Sequence, residues 1–507
     1  MKSTDNLFLL IKSLNKNEKR YFKLFASLQS PAKNYILLFN AIEKQTRLRK
    51  GQGEYDENKI KKTFAKQRFI RRLSSEKVYL YNLIMKSLRN YHNELSISSQ
   101  LKYLLKDIEI LYEKSLFKQC EKIIAKAKRI ANTHEKYLQL LEVLDWEKKL
   151  SDEKSDLKNT DKINSETQSS VEKINNIYAY RKAAEEIIKL YKHKSQVRTK
   201  EELKKIDRII ETPLLGNINN ALSHDAKLKF YTIHYFYCAI TGDVLNQRIH
   251  AQKMVDMVEL HRKNHNDIFY IGRLNNLINS QLDIRQYEDA MRTLNKLKAI
   301  DTTSLNSKVI QLERSYNIES DIYISTGKFE KVFDLAPEIE TGLKQYASKF
   351  DKEVLIALYY NLAYLYFGSR KYSDAILWLN KLLNSKEAEL RNDILAFTRI
   401  LNLIVHYELG NTDVLPYILK STYRFLQTRN QLYKAESSIL NFIRKKIPKI
   451  KSQNELIDEF KKLKIEIKEI TKDPFERKVL EYFDFISWLE SKIENRPFAE
   501  IVKEKVS

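Results

Sequence analysis

Apolar residues recur along this chain at three- and four-residue spacing, with little strand-like alternation, which predicts amphipathic helices throughout. Near the start, Tyr21, Phe22, Phe25 and Leu28 form one stripe behind Asn15 and Glu18, which have capping-box spacing. Ser30-Pro31 predicts a break, and Tyr35, Ile36, Phe39 and Ile42 a second helix. Gly51-Gln52-Gly53 predicts a loop, and Asp56 a cap for a helix through Lys59 to Lys66. Ser74 or Ser75 is expected to cap a further helix striped by Val78, Tyr81, Met85, Leu88, His92 and Leu95. Residues 1–98 are thus expected to form a basic helical domain. A first hairpin is expected over 99–150. Apolar residues then thin out to Leu157 and Ile163, so 151–170 is expected to be a polar loop. Thr199 to Glu202 has capping-box spacing ahead of a helix ending before Pro213 and Gly216. Helical repeats are expected over 171–450 and capping helices over 451–507. The last of these follows Asp473-Pro474 and carries Phe475, Leu480, Tyr482, Phe483, Ile486 and Trp488.

Internal repetition is the strongest signal. The run Tyr359-Tyr-Asn-Leu-Ala-Tyr-Leu-Tyr366, followed by Arg370-Lys-Tyr372 and Ala375, places small Ala363 and Ala375 where two helices must approach closely. Looser copies occur at Ser115-Leu-Phe117 with Cys120, Arg285-Gln-Tyr287 with Ala290, and Gly327-Lys-Phe329 with Val332. Gly242 and Gly410 mark further turns. Gly242, Arg285, Gly327, Arg370 and Gly410 then step by 43, 42, 43 and 40 residues. These motifs resemble the tetratricopeptide repeat (TPR), over roughly residues 100–450, with a step longer than the usual ~34. The resemblance implies an all-α fold: a right-handed α-solenoid of helical hairpins behind an N-terminal helical bundle. It also implies a groove in which Tyr360, Asn361 and Tyr364 face a partner, with Phe367 in the core.

Composition agrees with helix. Nine glycines and seven prolines in 507 residues are too few for the turns of a sheet protein. Two cysteines, Cys120 and Cys238, build neither a disulfide framework nor a four-cysteine zinc site, which suits a reducing, cytoplasmic setting. The short apolar run Leu7–Ile11 falls below what a secretory signal needs. The longest apolar stretch, Val354 to Phe367, is interrupted by Asn361 and is shorter than the roughly 20 residues of a membrane span. Net charge is +24, of which +13 falls in residues 1–100. Abundant lysine, asparagine, isoleucine and tyrosine fit an AT-rich genome, which supplies lysine without selection for nucleic acid.

Candidate chemistry is sparse. No glycine-rich phosphate loop or nucleophile elbow can be written, and no catalytic or cofactor-binding residue is assigned. Adjacent pairs such as Glu185/Glu186 and Glu201/Glu202 do not face one another on a helix. His224, His234, His250, His261 and His265 cluster in sequence, and His261 and His265 have i,i+4 spacing, but no fourth metal ligand is evident, so no metal is expected. One segment stands out: Lys59, Lys61, Lys62, Lys66, Arg68, Arg71 and Arg72 fall within fourteen residues without an acid, interleaved with Ile60, Phe64, Phe69 and Ile70. Basic side chains on an anchored helix can neutralise phosphates. In this protein such a face is also what lysine-rich composition alone produces. The expected function is therefore non-enzymatic: a scaffold or adaptor binding a peptide or protein. The alternative is a nucleic-acid-binding regulator that uses residues 1–98, with the solenoid as sensor.

Overall fold

The computed structural model describes residues 3–29, 34–46, 55–91, 96–154, 157–192, 206–261, 266–302, 304–429, 432–473 and 476–506. Every regular element among them is helical, and no strand occurs among the described residues, so the all-α expectation holds. Ser30-Pro31, Gly51 to Gly53, His92, Leu95, Thr199 to Glu202, His265, Pro474 and Phe475 lie outside the described residues. The chain forms two compact units.

The first unit comprises residues 1–179 and 222–224. It begins with α1 (Ser3–Ser13), α2 (Lys16–Gln29), α3 (Asn34–Thr46), α4 (Glu57–Thr63) and α5 (Leu73–Tyr91). The predicted capping box is formed: Asn15 N donates to Glu18 Oε2 at 2.8 Å and Glu18 N to Asn15 Oδ1 at 2.9 Å. Asp56 caps α4 through Lys59 N. Leu7, Ile11, Phe22, Phe39, Ile42, Ile60, Leu80 and Ile84 share one core. Two expectations are corrected here. Leu73 follows directly on a 3-10 turn, Arg68–Arg72, so neither serine starts α5. The buried face of α5 runs through Leu73, Lys77, Leu80, Ile84 and Ser87, while Val78 and Tyr81 are exposed. This helix is apolar on two faces, and Lys77, buried by its ion pair with Glu57, conceals the true stripe.

α6 (Ile97–Glu113), α7 (Phe117–Thr133) and α8 (Tyr137–Glu153) pack as successive antiparallel neighbours around Leu101, Ile108, Cys120, Ile124 and Leu140. The expected polar loop over 151–170 is instead mostly helix: α8 runs to Glu153, and α9 spans Leu157–Lys192. The inward stripe of α9 simply continues with small polar residues. Ile163 is followed by half-buried Thr167 and buried Ser170, whose hydroxyls bond the carbonyls of Ile163 and Glu166, both at 2.8 Å. Lys128 pairs with Glu166 at 2.8 Å. Hydrogen-bonded hydroxyls are tolerated where a hydropathy pattern demands apolar side chains.

The second unit comprises residues 180–221 and 225–507. Its helices are α10 (His224–Thr241), α11 (Val244–Leu260), α12 (Asp267–Asp283), α13 (Tyr287–Lys298), α14 (Leu305–Ser325), α15 (Val332–Tyr346), α16 (Lys352–Gly368), α17 (Tyr372–Leu383), α18 (Asn392–Glu408), α19 (Leu415–Thr428), α20 (Lys434–Asn441), α21 (Gln453–Ile470), α22 (Val479–Tyr482), α23 (Phe485–Ile493) and α24 (Phe498–Glu504). From α11 to α19 each helix packs on the next. In addition, α12, α14, α16 and α18 pack side by side.

The five residues aligned from sequence as equivalent turns all adopt positive φ: Gly242 (81°), Arg285 (59°), Gly327 (66°), Arg370 (60°) and Gly410 (69°). Ser115 (58°) and Glu135 (50°) do the same. At Arg370 the pattern is a Schellman turn: Arg370 N donates to Phe367 O and Lys371 N to Tyr366 O, both at 2.9 Å. Arg285, Gly327 and Gly410 repeat it. Five residues beyond these turns the side chain is buried, as at Cys120, Ala290, Val332 and Ala375, all 0% exposed. Two residues beyond them an aromatic ring often plugs the hairpin, as with Phe117, Tyr287, Phe329 and Tyr372.

The C-terminal helices do not simply close the last hairpin. Phe498 packs on Phe329 and Phe367, with centroids 5.3 and 5.6 Å apart, and Lys503 pairs with Glu330. Trp488 donates Nε1 to Glu408 at 2.7 Å. The segment therefore runs back over the turn that follows α14 and over α16 and α18.

A left-handed conformation costs a side-chain-bearing residue roughly 1–2 kcal/mol, and more when the side chain branches at Cβ. In urea unfolding, Arg370→Gly should leave stability unchanged or raised, while Arg370→Val should lower it by about 1–2 kcal/mol. A tolerated valine would refute the strained turn.

Candidate functional site

The faces that α12, α14, α16 and α18 turn to one side enclose a polar cleft of about 820 Å³. Asn275 and Asn279, one turn apart on α12, open it. Arg314, Asn317, Asp321 and Ser325 line it from α14, and Glu353, Ala357, Tyr360, Asn361 and Tyr364 from α16. Arg391 and Ile394 bound it beside α18, and Glu481 and Tyr482 of the C-terminal segment form its end.

Of the three groove residues expected from sequence, Asn361 faces the cleft, and its Nδ2 donates to Asp321 Oδ1 at 2.7 Å. Tyr360 and Tyr364 line the wall, yet are only 4% and 5% exposed. Their hydroxyls are engaged by the chain itself: Tyr360 donates to Tyr482 O at 3.1 Å, and Tyr364 accepts from Asp484 N at 2.9 Å. The expectation of three free partner-facing side chains is corrected accordingly, because residues 479–485 cover this part of the face. Phe367 is buried, as expected.

The remaining polar groups divide into engaged and free. Arg391 forks onto Asp393, with Nε at 2.9 Å and Nη2 at 2.6 Å, and Tyr482 donates to the same carboxylate at 2.8 Å while stacking on Phe397 at 4.3 Å. Asp351 caps α16 through Glu353 N and Val354 N. Asn317 gives its Nδ2 to Glu313 O and Val354 O. The side chains of Asn275 and Asn279 make no hydrogen bond among the described residues. Asp321 reaches solvent in the cleft but is walled in by helices. This crowding pushes its carboxyl up to about 7 against the pull of the Asn361 amide.

Sequence reasoning missed Asn275, Asn279, Arg314, Asn317 and Asp321, although the signal was present for all but Arg314. Ten positions before their turns, Asn275, Asn317 and Tyr360 are equivalent; six positions before, so are Asn279, Asp321 and Tyr364. Carrying the turn alignment down each first helix would have found these four; Arg314, thirteen positions before its turn, is equivalent to Gly272 and Ala357 and carries no such signal.

The basic segment lies elsewhere, in the first unit. The side chains of Lys59, Lys61, Lys62, Lys66, Arg68, Arg71 and Arg72 are all exposed. Ile60 and Phe69 anchor the segment, and Phe64 and Phe69 pack at 5.3 Å. Helix α4 stops at Thr63 rather than reaching Lys66, because the chain turns at Phe64 to bring these two rings together. Lys61 pairs with Glu57 at 2.8 Å, and the other six cations make no ion pair among the described residues.

Among the described residues, no group of three or more His, Cys, Asp or Glu side chains is placed to hold a metal ion. His261 is exposed at the end of α11. His234 and His250 stack at 5.2 Å, and burial followed by the neighbouring His234 lowers His250 to about 4. Both cysteines are buried free thiols. No helix among the described residues is long and apolar enough to cross a membrane. No protein-family model matches the chain, and no curated protein matches it.

Because the folded protein holds the Asp321 proton more tightly than the unfolded chain does, that contribution to stability is complete below about pH 4 and is lost as pH rises through 7. Asp321→Asn keeps the acceptor for Asn361 and stays neutral. Its stability relative to the parent should rise between pH 5 and pH 8 in thermal unfolding. A constant difference across that range would contradict the crowded carboxylate.

Proposed function

We propose that the chain is a non-catalytic scaffold or adaptor. On this reading residues 171–450 form a right-handed α-solenoid of TPR-like hairpins that binds a peptide or protein partner inside the cell. The observation that carries the reading is the cleft. Its walls are contributed by the first helices of successive hairpins, and it offers uncommitted amide side chains at helical spacing. Asparagine, with one acceptor and two donors, can pair with both the N–H and the C=O of an extended backbone. Pooling the equivalent faces of stacked hairpins suits a ligand that crosses several of them. The reading assigns no catalytic residue, cofactor or metal.

Selection of phage-displayed random dodecapeptides on the immobilised protein tests it. Enriched peptides should bind in solution, and Asn275→Ala/Asn279→Ala should weaken them about tenfold or more, given about 1 kcal/mol for each hydrogen bond. Peptides that bind the double variant as tightly as the parent would place the interaction elsewhere.

A second reading, nucleic-acid binding through residues 1–98, is favoured by the six cations that make no ion pair among the described residues and stand on an anchored backbone. Duplex DNA or RNA should then be retained by the full chain at low salt. Arg71→Ala/Arg72→Ala should reduce the slope of log affinity against log salt by up to about 2. Absence of retention at low salt removes this reading.

A further inference from the structure

Charge in the cleft runs against the charge of the chain. The protein carries +24 overall, yet the cleft is lined by Asp321, Asp351, Glu353 and Glu481 against Arg314 and Arg391. Two of these six are already satisfied: Arg391 is neutralised by Asp393, and Asp351 caps α16. Glu353 and Glu481 are exposed and make no ion pair among the described residues, and Asp321 has a single amide donor. Two carboxylates, Glu353 and Glu481, and the part-ionised carboxyl of Asp321 therefore face Arg314, which lies within electrostatic reach of Glu313, and an Arg391 already committed to Asp393. A cleft with low-dielectric walls concentrates such a field, so a local negative site persists on a positive protein.

We infer that this cleft selects an extended peptide by a lysine or arginine side chain, which the carboxylates of Asp321, Glu353 and Glu481 receive while Asn275 and Asn279 bond the peptide backbone. This rests on the reading of the cleft as a peptide site and adds the chemistry of its ligand. An acidic peptide would bring a further negative charge against carboxyls that make no ion pair among the described residues. A neutral one would desolvate them without return. A free polyamine would satisfy the carboxylates but leave both asparagines unused. Size agrees: four neighbouring helices roughly 9 Å apart span about 27 Å, the length of about eight extended residues. Glu481 and Tyr482 close one end, so the peptide stops against the C-terminal segment.

The test uses the full chain and three fluorescein-labelled octapeptide pools. Each pool has uncharged residues at seven positions and Lys, Ala or Glu fixed at the fourth, read by anisotropy with spermidine as an additional probe. The lysine pool should bind at least tenfold tighter than the alanine pool, with the glutamate pool weakest. Asp321→Asn and Glu481→Gln, both at exposed positions, should each cut the lysine preference severalfold with unchanged circular dichroism. If the alanine pool binds as tightly as the lysine pool and Asn279→Ala weakens both, the charge inference fails while the peptide site stands. If no pool binds, both fall. Spermidine binding that Asp321→Asn abolishes, without binding of any pool, would replace the peptide with a small amine and overturn the inference.

Discussion

The second unit depends on one backbone constraint, the left-handed residue that ends the first helix of each hairpin. At Arg285, Gly327, Arg370 and Gly410 the same pair of Schellman hydrogen bonds reverses the chain within a few residues. The following helix then begins against its predecessor. That geometry buries the residue five positions on, which is small at Ala290 and Ala375, both with no exposed surface. Where a larger residue sits there, as Val332 does after Gly327, it belongs to the same buried core.

Repeating the turn has a consequence for polar residues. Each first helix enters in the same orientation, so α12, α14, α16 and α18 lie side by side and equivalent positions share one face. Residues that would be scattered surface groups on isolated helices become the lining of one cleft. The C-terminal segment then takes part of that face for itself. Phe483 and Trp488 are each 1% exposed, and the hydroxyls of Tyr360 and Tyr364 bond the backbone around Tyr482 and Asp484. What remains open is a bounded polar cleft, not a long groove.

Much of this was legible in the sequence because turns are local. Positive φ, the aromatic plug and the small buried residue all leave marks within a dozen positions, and the five aligned turns adopt the geometry their alignment implied. The Asn15–Glu18 box and the Asp56 cap were legible for the same reason. The failures were non-local or hidden by polarity. The stripe of α9 continues through Thr167 and Ser170, which a hydropathy pattern counts as loop. The buried face of α5 includes Lys77, made tolerable by Glu57 from another helix and by the Tyr55 ring beneath its ammonium. Tyr360 and Tyr364 were placed on the right face, but nothing near them in sequence announces that residues more than a hundred positions later will cover them.

Photo-crosslinking tests the central claim most directly. A benzophenone-bearing octapeptide with a central lysine would be irradiated on the full chain and its attachment points mapped by mass spectrometry. The account predicts adducts within residues 275–279, 314–325, 353–364 and 481–482. Adducts confined to residues 55–91, or to the second helices of the hairpins, would contradict it.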